Sequence, residues 1–232
     1  DKLEEIVVTA ARRPTASLAT PLSLSAVGSD AIRLLGATHH ADVLNRVPGV
    51  MIQRGSGQES LTAIRSPVLT GAGSCGAFLF LENGVPIRPV GFCNVNVLFE
   101  VNTEQARAIE VLRGPGSALY GSSAMHGTVN VIQPSPAERP LLGLGVDGGP
   151  SNYWRVKVAG RQDWGDTSLG VAGLYANDGG WRAVSGYHET KANAALTSRW
   201  DTTPVRFDLA VTSLDQQTAG FITGKDAYEN LN

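Results

Sequence analysis

From Tyr153 to Trp164 the chain alternates between two kinds of side chain at every second residue. Successive side chains of a β-strand point to opposite faces, so this alternation predicts a strand with one apolar and one polar face. The apolar set is Trp154, Val156, Val158, Gly160 and Trp164, with Gln162 as the exception. The polar set is Tyr153, Arg155, Lys157, Arg161 and Asp163. Such a strand needs a different environment on each side of its sheet.

The spacing of the two tryptophans indicates what that environment is. Trp154 and Trp164 are ten residues apart on the apolar face. At ~3.3 Å per residue they are ~33 Å apart along the strand. A tilt of ~45° reduces this distance to ~23 Å, close to the ~25 Å apolar band between the aromatic girdles of an outer-membrane barrel. A soluble sandwich has no reason to separate tryptophans in this way, so the spacing favours a membrane.

Further alternating segments follow at 169–175, 192–200 and 205–211. With one more strand before the short link at 148–152, the C-terminal region contains about five predicted strands. The connections at 165–166 and 201–204 are tight, whereas the connection at 178–187 is longer. Short turns on one side and longer loops on the other are expected of outer-membrane barrels. A secreted β-sandwich with one solvent-exposed face has the same two-residue period of apolar side chains, so the alternation alone leaves both interpretations open.

Composition excludes several other classes of protein. The 232 residues include 19 basic and 21 acidic side chains, so no strong electrostatic field favours nucleic acid as a partner. No apolar run approaches the ~18 residues that a membrane helix needs, and any membrane role must therefore rest on strands. The chain begins at Asp1 without a charged-then-apolar leader, as expected of an exported protein after its signal peptide is removed.

The segment 102–132 predicts a small mixed sheet upstream of the alternating region. An apolar run at 108–112 breaks at Arg113-Gly114-Pro115-Gly116, and a second β-like run covers 128–132. Residues 21–140 as a whole are predicted to be a compact α/β domain. Asn83-Gly84 predicts a hairpin.

Two short helices are predicted near the start of this domain. Ser29 or Asp30 is expected to cap a helix that ends at Gly36, and Thr38 is expected to cap the next one. His39 and His40 are adjacent and diverge on a helix, so they are interpreted as a solvated helix start and not as metal ligands. No metal site, cofactor site or catalytic set is predicted from the sequence.

Several runs in this domain resemble the plug domain of TonB-dependent outer-membrane receptors. The most specific is "IEVLRGPGSALYG" followed by "GTVNVI"; others are "DVLNRVPGV" at 42–50, "IRS" at 64–66 and "FLFLENGVPI" at 78–87. The family commonly has Gly after that Ile-Arg and Asp in place of Glu82-Asn83, so this chain departs mildly at both places. The resemblance implies an α+β plug domain followed by antiparallel transmembrane β-barrel strands.

The resemblance also implies a domain order. Residues 1–20 would be a TonB box and N-terminal extension, 21–140 the plug domain, and 141–232 the N-terminal part of the outer-membrane β-barrel. The family barrel has about 22 strands, so about seventeen are absent here. A barrel must close in lipid, and we therefore expect a fragment, a truncated reading frame or one piece of a split receptor.

The resemblance assigns roles to particular residues. The segment Glu5, Ile6, Val7, Val8, Thr9 and Ala10 looks like a TonB box, which contacts TonB in the periplasm. From the residues alone it is a strand that could pair with another protein's sheet edge, or a frayed first strand. Arg65, Arg113 and Gly114 match plug motifs in which the arginines pair with barrel glutamates and hold the plug in place.

Cys75 and Cys93 are the two cysteines of the chain. In an oxidising compartment a bridge between them would stabilise the fold by ~3 kcal/mol through the shorter unfolded chain. Two unconnected buried thiols are the alternative. No zinc pattern includes them.

Membership of this family implies active transport of a scarce ligand, most often an iron–siderophore complex, across the bacterial outer membrane. The implied partners are TonB with ExbB and ExbD, outer-membrane lipid and a small ligand such as a ferric siderophore; nucleic acid is not expected. An enzyme is not expected either. The alternative is a secreted soluble binding or adhesion module with an α/β domain and a β-sandwich. The ligand itself cannot be read from this sequence.

Overall fold

The computed structural model describes residues 7–8, 15–16, 22–68, 78–87, 97–121, 123–218, 220, 224–225 and 229. The predicted bridge between Cys75 and Cys93 lies outside the described residues, as do Glu5, Ile6, Thr9 and Ala10. The chain divides into two compact units, residues 1–54 with 60–134 and residues 55–59 with 135–232. In the part of the chain that the structure describes, no helix is long and apolar enough to cross a membrane.

The first unit is a mixed α/β structure. Its described strands and helices are, in chain order, β1 (Val7–Val8), β2 (Thr15–Ala16), β3 (Leu24–Gly28), α1 (Ser29–Leu35), α2 (His40–Leu44), β4 (Val50–Arg54), β5 (Ser60–Ile64), β6 (Phe78–Glu82), β7 (Val85–Pro86), β8 (Ala108–Arg113), α3 (Ser117–Tyr120) and β9 (Gly127–Ile132). Five strands form a sheet in the order β3-β8-β9-β6-β7, in which β6 and β9 are parallel. The β4–β5 and β1–β2 pairs are separate antiparallel ladders.

Both faces of the five-stranded sheet are covered. Phe80 and Val129 belong to the main core with residues of α1 and α2, and Leu79 and Leu81 pack with Tyr120 in a second cluster. All six residues of β9 are buried. A strand covered on both sides can be a continuous apolar run, as β6 is, whereas β9 buries the polar side chains of Thr128 and Asn130 on one face.

The ends of α1 agree with the sequence at one terminus only. Gly36 follows the helix in the left-handed conformation, with φ of 56°, so the predicted stop at Gly36 is confirmed. The predicted start is wrong, because the N-cap position is Gly28 and no side chain caps the helix. Ser29 is instead the first helical residue.

The start of α2 also differs from the prediction. His39, and not Thr38, is the N-cap: its Nδ1 accepts a hydrogen bond from Ala41 N at 3.0 Å, and the Asp42 carboxylate accepts from His39 N at 3.2 Å. This is a capping box with an imidazole in place of the usual hydroxyl. His39 and His40 are 1% and 3% exposed, so the interpretation of a solvated helix start is wrong.

The predicted hairpin at Asn83-Gly84 is confirmed. These two residues connect the antiparallel strands β6 and β7 and have φ of 50° and 80°. A two-residue turn with positive φ at both positions matches the twist of the flanking strands, and Asn-Gly tolerates that geometry at little cost.

The second unit is a single antiparallel sheet. After a 3-10 turn at Pro136–Glu138 its strands are β10 (Leu142–Gly149), β11 (Tyr153–Trp164), β12 (Thr167–Asp178), β13 (Tyr187–Trp200) and β14 (Thr203–Gln216). Each strand pairs with the next in sequence. The prediction of about five strands and the tight turn at 165–166 are thus confirmed. The turn predicted at 201–204 is shorter, because β14 already begins at Thr203.

Candidate functional site

One face of the second sheet is a continuous exposed apolar surface. Cross-strand pairs place Val156 opposite Val146 and Leu196 opposite Phe207, so apolar side chains meet across the ladders. Phe207 is 73% exposed and Leu144 is 74% exposed. The other exposed members of this face are Leu142, Val146, Trp154, Val158, Trp164, Val171, Tyr175, Trp200, Leu209 and Val211. Monomeric soluble proteins rarely expose so many contiguous apolar side chains, and this face suits hydrocarbon better than water.

Aromatic residues lie at both ends of this apolar face. Trp154 and Tyr175 pack together with ring centroids 5.1 Å apart, near the end of the sheet that carries the longer loop. Trp164 and Trp200 each end a strand at the opposite side, next to the tight turns. Two aromatic belts that flank an apolar band are typical of strands that cross an outer membrane.

The opposite face of the same sheet carries paired charges. Asp147 accepts from Arg155 at 2.9 Å and lies 3.0 Å from Lys157 Nζ on the neighbouring strand. Glu189 and Lys191 lie 3.2 Å apart on β13, and both side chains are almost fully buried. A buried charge is tolerated when it is paired, so these pairs allow the polar face to be covered.

Arg65 and Arg113 come together in the first unit. Arg65 directly follows β5 and Arg113 ends β8. Both side chains lie over Gly49: a Cβ at this glycine would be 3.2 Å from Arg65 Cγ and 3.8 Å from Arg113 Cδ. The sequence predicted the two arginines separately, and the structure places them at one site, which we call the arginine cluster.

Backbone contacts hold the arginine cluster in position. Arg65 N donates to Gly49 O at 2.8 Å, and Arg65 Nη2 donates to Ser23 Oγ at 3.0 Å. Arg113 Nη1 donates to Pro48 O at 2.8 Å. Among the described residues, neither guanidinium forms an ion pair with an acid, so their predicted pairing with barrel glutamates stays a prediction.

The backbone at the arginine cluster adopts unusual conformations. Arg65 has φ of 48°, a left-handed conformation that costs a non-glycine residue roughly 1–2 kcal/mol. Gly114 has φ of 117°, which L side chains rarely adopt, and its N–H donates to His126 O at 2.8 Å. Strain of this kind persists where the surroundings impose it and often marks a functional position.

The predicted TonB box is described only at Val7 and Val8. These residues pair with Ala16 and Thr15 in a two-stranded antiparallel ladder. The strand propensity of Val7 and Val8 is thus realised within the chain itself. Its contact with TonB stays a prediction.

Sequence analysis missed the role of Asn45 in the "DVLNRVPGV" run. Its Oδ1 accepts from Ile52 N at 2.6 Å and its Nδ2 donates to Ile52 O at 3.1 Å, so the amide replaces a neighbouring strand along β4. An asparagine just after a short helix and before a strand was the available signal. Among the described residues, no group of three or more His, Cys, Asp or Glu could hold a metal ion.

Comparison with known proteins identifies the first unit. Residues 16–128 match the family model of the TonB-dependent receptor plug domain. That match contains α1 to β8 and the whole arginine cluster.

Solved structures match almost the whole chain. The pyoverdine outer-membrane receptor FpvA from Pseudomonas aeruginosa PAO1 matches with a TM-score of 0.73 at 16% identity, over 89% of this chain and 30% of that protein. The siderophore receptor PiuA from Acinetobacter baumannii matches with a TM-score of 0.67 at 23% identity, over 92% and 29%. The copper transporter OprC matches with a TM-score of 0.67 at 17% identity, over 88% and 32%. The chain therefore spans less than a third of the length of these proteins.

These findings agree with the geometry of both units. The plug match covers the mixed sheet, and the neighbours share the fold of plug plus strands. A secreted β-sandwich is therefore the wrong interpretation of the alternating region, whose described strands form one sheet. Residues 16–128 are therefore a TonB-dependent receptor plug domain, and the chain shares the fold of a plug followed by β-barrel strands with the solved receptors.

Proposed function

We propose that the full-length protein is a TonB-dependent transporter that moves a scarce ligand inward across the outer membrane. The observation that carries this proposal is the succession, in one chain, of a plug domain and a sheet whose apolar face is exposed. A plug needs a surrounding wall with lipid on its outer side, and the aromatic belts and apolar band supply the features of such a wall.

The ligand we propose is an iron–siderophore complex. FpvA and PiuA are named as receptors for pyoverdine and for a siderophore, which supports this class, whereas OprC is named as a copper transporter. Uptake of ⁵⁵Fe-labelled siderophores and of ⁶⁴Cu should be compared in a strain lacking the receptor and in the complemented strain. Complementation should restore uptake of one ferric siderophore. Restoration of copper uptake alone would assign the other class, and restoration of neither would contradict the proposal.

TonB is the proposed energy-coupling partner, acting with ExbB and ExbD through Glu5, Ile6, Val7, Val8, Thr9 and Ala10. An extended segment of this kind gains affinity from backbone hydrogen bonds to a sheet edge. Val8→Pro removes one N–H donor and should abolish uptake without lowering receptor abundance. Lys2→Pro, just outside the box, is the matched control and should transport normally.

The arginine cluster is proposed to lock the plug through carboxylates of the barrel. Arg65 and Arg113 have planar guanidinium groups that suit bidentate pairing, and hydrogen bonds to Ser23 Oγ and Pro48 O already fix the positions of the two side chains. Loss of one partner of a buried pair typically costs ~3–5 kcal/mol. Arg113→Ala should therefore raise passive entry of vancomycin, whereas Arg33→Ala, at an exposed surface pair, should not. Unchanged vancomycin sensitivity of Arg113→Ala would contradict the lock.

A further inference from the structure

The chain that joins β9 to β10 is firmly seated on the second sheet. Its 3-10 turn at Pro136–Glu138 packs against strands β11, β12 and β13. Ser135 N and Ser135 Oγ both donate to the Glu138 carboxylate, at 2.7 and 2.8 Å. This capping box closes the turn on itself, so the segment meets the sheet as a preformed unit.

Two glycines of the sheet leave room for the prolines of this segment. A Cβ at Gly170 would be 2.9 Å from Pro136 Cα and 3.0 Å from Arg139 Cδ. A Cβ at Gly143 would be 3.0 Å from Pro140 Cγ. A side chain at Gly170 would therefore force the segment away from the sheet, because backbone atoms cannot yield as a flexible side chain does.

Arginine side chains fasten the same segment. Arg161 Nη1, from β11, donates to Ala137 O at 2.7 Å. Arg139 is only 5% exposed. Burial lowers the pKa of the Arg139 guanidinium and nearby Arg206 lowers it further, whereas Asp208 and Glu138 act in the opposite direction. The segment is thus held by steric fit and a charge-assisted hydrogen bond, and the Arg139 side chain is enclosed with it.

We propose that residues 135–139, which we call the linker anchor, are a mechanical stop. When the N-terminal segment is pulled, the chain up to residue 134 can be extended, while the linker anchor stays on β11–β13. The proposal rests on the proposed function, because TonB-dependent transport would apply force at the N-terminal segment. Gly170, Arg161 and Arg139 are then positioning residues, whose role is to limit how much of the chain leaves its place.

The proposal can be tested by pulling single receptor molecules in lipid nanodiscs from an N-terminal tag, with Cys75 and Cys93 replaced by serine. The pulled chain should leave its folded position only as far as residue 134. At 3.3–3.6 Å per residue this corresponds to an extension of at most ~44–48 nm.

A side chain at position 170 should increase the final extension. Gly170→Leu should free residues 135–141 as well and add ~2.4 nm to the extension. Gly173→Leu is the matched control, on the same strand but facing the apolar surface, and it should leave the extension unchanged. Arg161→Ala, which removes the bond to Ala137 O and a partly exposed ion pair with Asp163, should lower the force of the final step if Gly170→Leu does not insert.

Some outcomes would overturn the linker anchor. One is a parent receptor whose extension exceeds that expected for residues 1–134 by ~2 nm or more, since residues 135–141 would then leave the sheet without any mutation of Gly170. Another is an inserted Gly170→Leu receptor with the extension of the parent. Pulling needs neither ligand nor TonB, so the linker anchor can fail while TonB-dependent uptake stands, and the reverse.

Discussion

The two five-stranded sheets of this molecule have the same number of strands and opposite surroundings. The sheet β3-β8-β9-β6-β7 is covered on both faces, with β9 buried throughout. The sheet β10–β14 has one polar face with buried charges, and its apolar face is exposed. In the first sheet apolar side chains avoid water by meeting one another, whereas in the second they face outward. The comparison shows that an outward apolar face needs a solvent other than water.

The two sheets also differ in where their charged side chains lie. In the second sheet Arg155 and Lys157 share the face that carries Asp147, and Trp154 and Val158 alternate with them on the other. In the first sheet Glu110 is the buried acid of β8. Sorting by face is necessary when one face meets lipid, and it has no meaning when both faces are core.

The largest expected effect is in the doubly covered sheet. Phe80 is 1% exposed and packs against Phe78 with ring centroids 5.3 Å apart. Phe80→Ala leaves a cavity in the main core and should cost ~3–5 kcal/mol in the free energy of unfolding of the first unit. Hydrogen exchange of the β6 and β9 amides in the full-length receptor measures this cost. If exchange in these strands stays within tenfold of the parent, the sheet is not a packed core.

A charge on the outward face of the second sheet should have the next largest effect. Val171 is 43% exposed in the middle of β12, and Val171→Lys should cost ~2–4 kcal/mol if that face meets the hydrocarbon. Ser168→Lys, on the polar face of the same strand and directly opposite Asp163, should be tolerated. Urea titration in lipid vesicles, followed by heat-modifiable migration, compares the two. Equal stability of both variants would contradict the assignment of faces.

The third prediction concerns Asn45, whose side chain forms hydrogen bonds with the backbone of Ile52 outside the five-stranded sheet. Asn45→Ala removes both hydrogen bonds to Ile52 and should cost ~1–3 kcal/mol, because the Ile52 N–H and C=O lose their partner. Asn45→Asp keeps the acceptor for Ile52 N and should fall between the parent and the alanine variant. Hydrogen exchange at Ile52 is the direct measurement. Exchange that is unchanged in the alanine variant would show that the amide is dispensable.

The smallest expected effect sharpens the comparison. Leu34 is 89% exposed on α1, where it is a single apolar residue and not part of an apolar face. Leu34→Lys should change the free energy of unfolding by less than ~0.5 kcal/mol, although Val171→Lys introduces the same charge at a less exposed position. Both variants can be titrated with urea side by side. A large loss for Leu34→Lys would mean that exposure alone does not distinguish the two surfaces.

The correct and incorrect sequence predictions differ in the range of the contacts involved. The strand β11 and the hairpin at Asn83-Gly84 follow from local periodicity and turn geometry, and both are confirmed. The N-cap of α2 was missed because His39 is a poor cap by propensity. It serves as one only because the buried surroundings of α2 hold its imidazole in place.

By itself, the sequence determined that the C-terminal region is a sheet with one apolar face, because a two-residue period of apolar side chains matches the β-strand and not the helix. The plug motifs likewise predicted the plug domain, which the family model matches over residues 16–128. The tertiary structure alone decided that Arg65 and Arg113 share Gly49, that β6 runs parallel to β9, and that the linker anchor sits on Gly170. Contacts between distant segments depend on which buried surfaces meet, and a continuous apolar run carries no record of its neighbours.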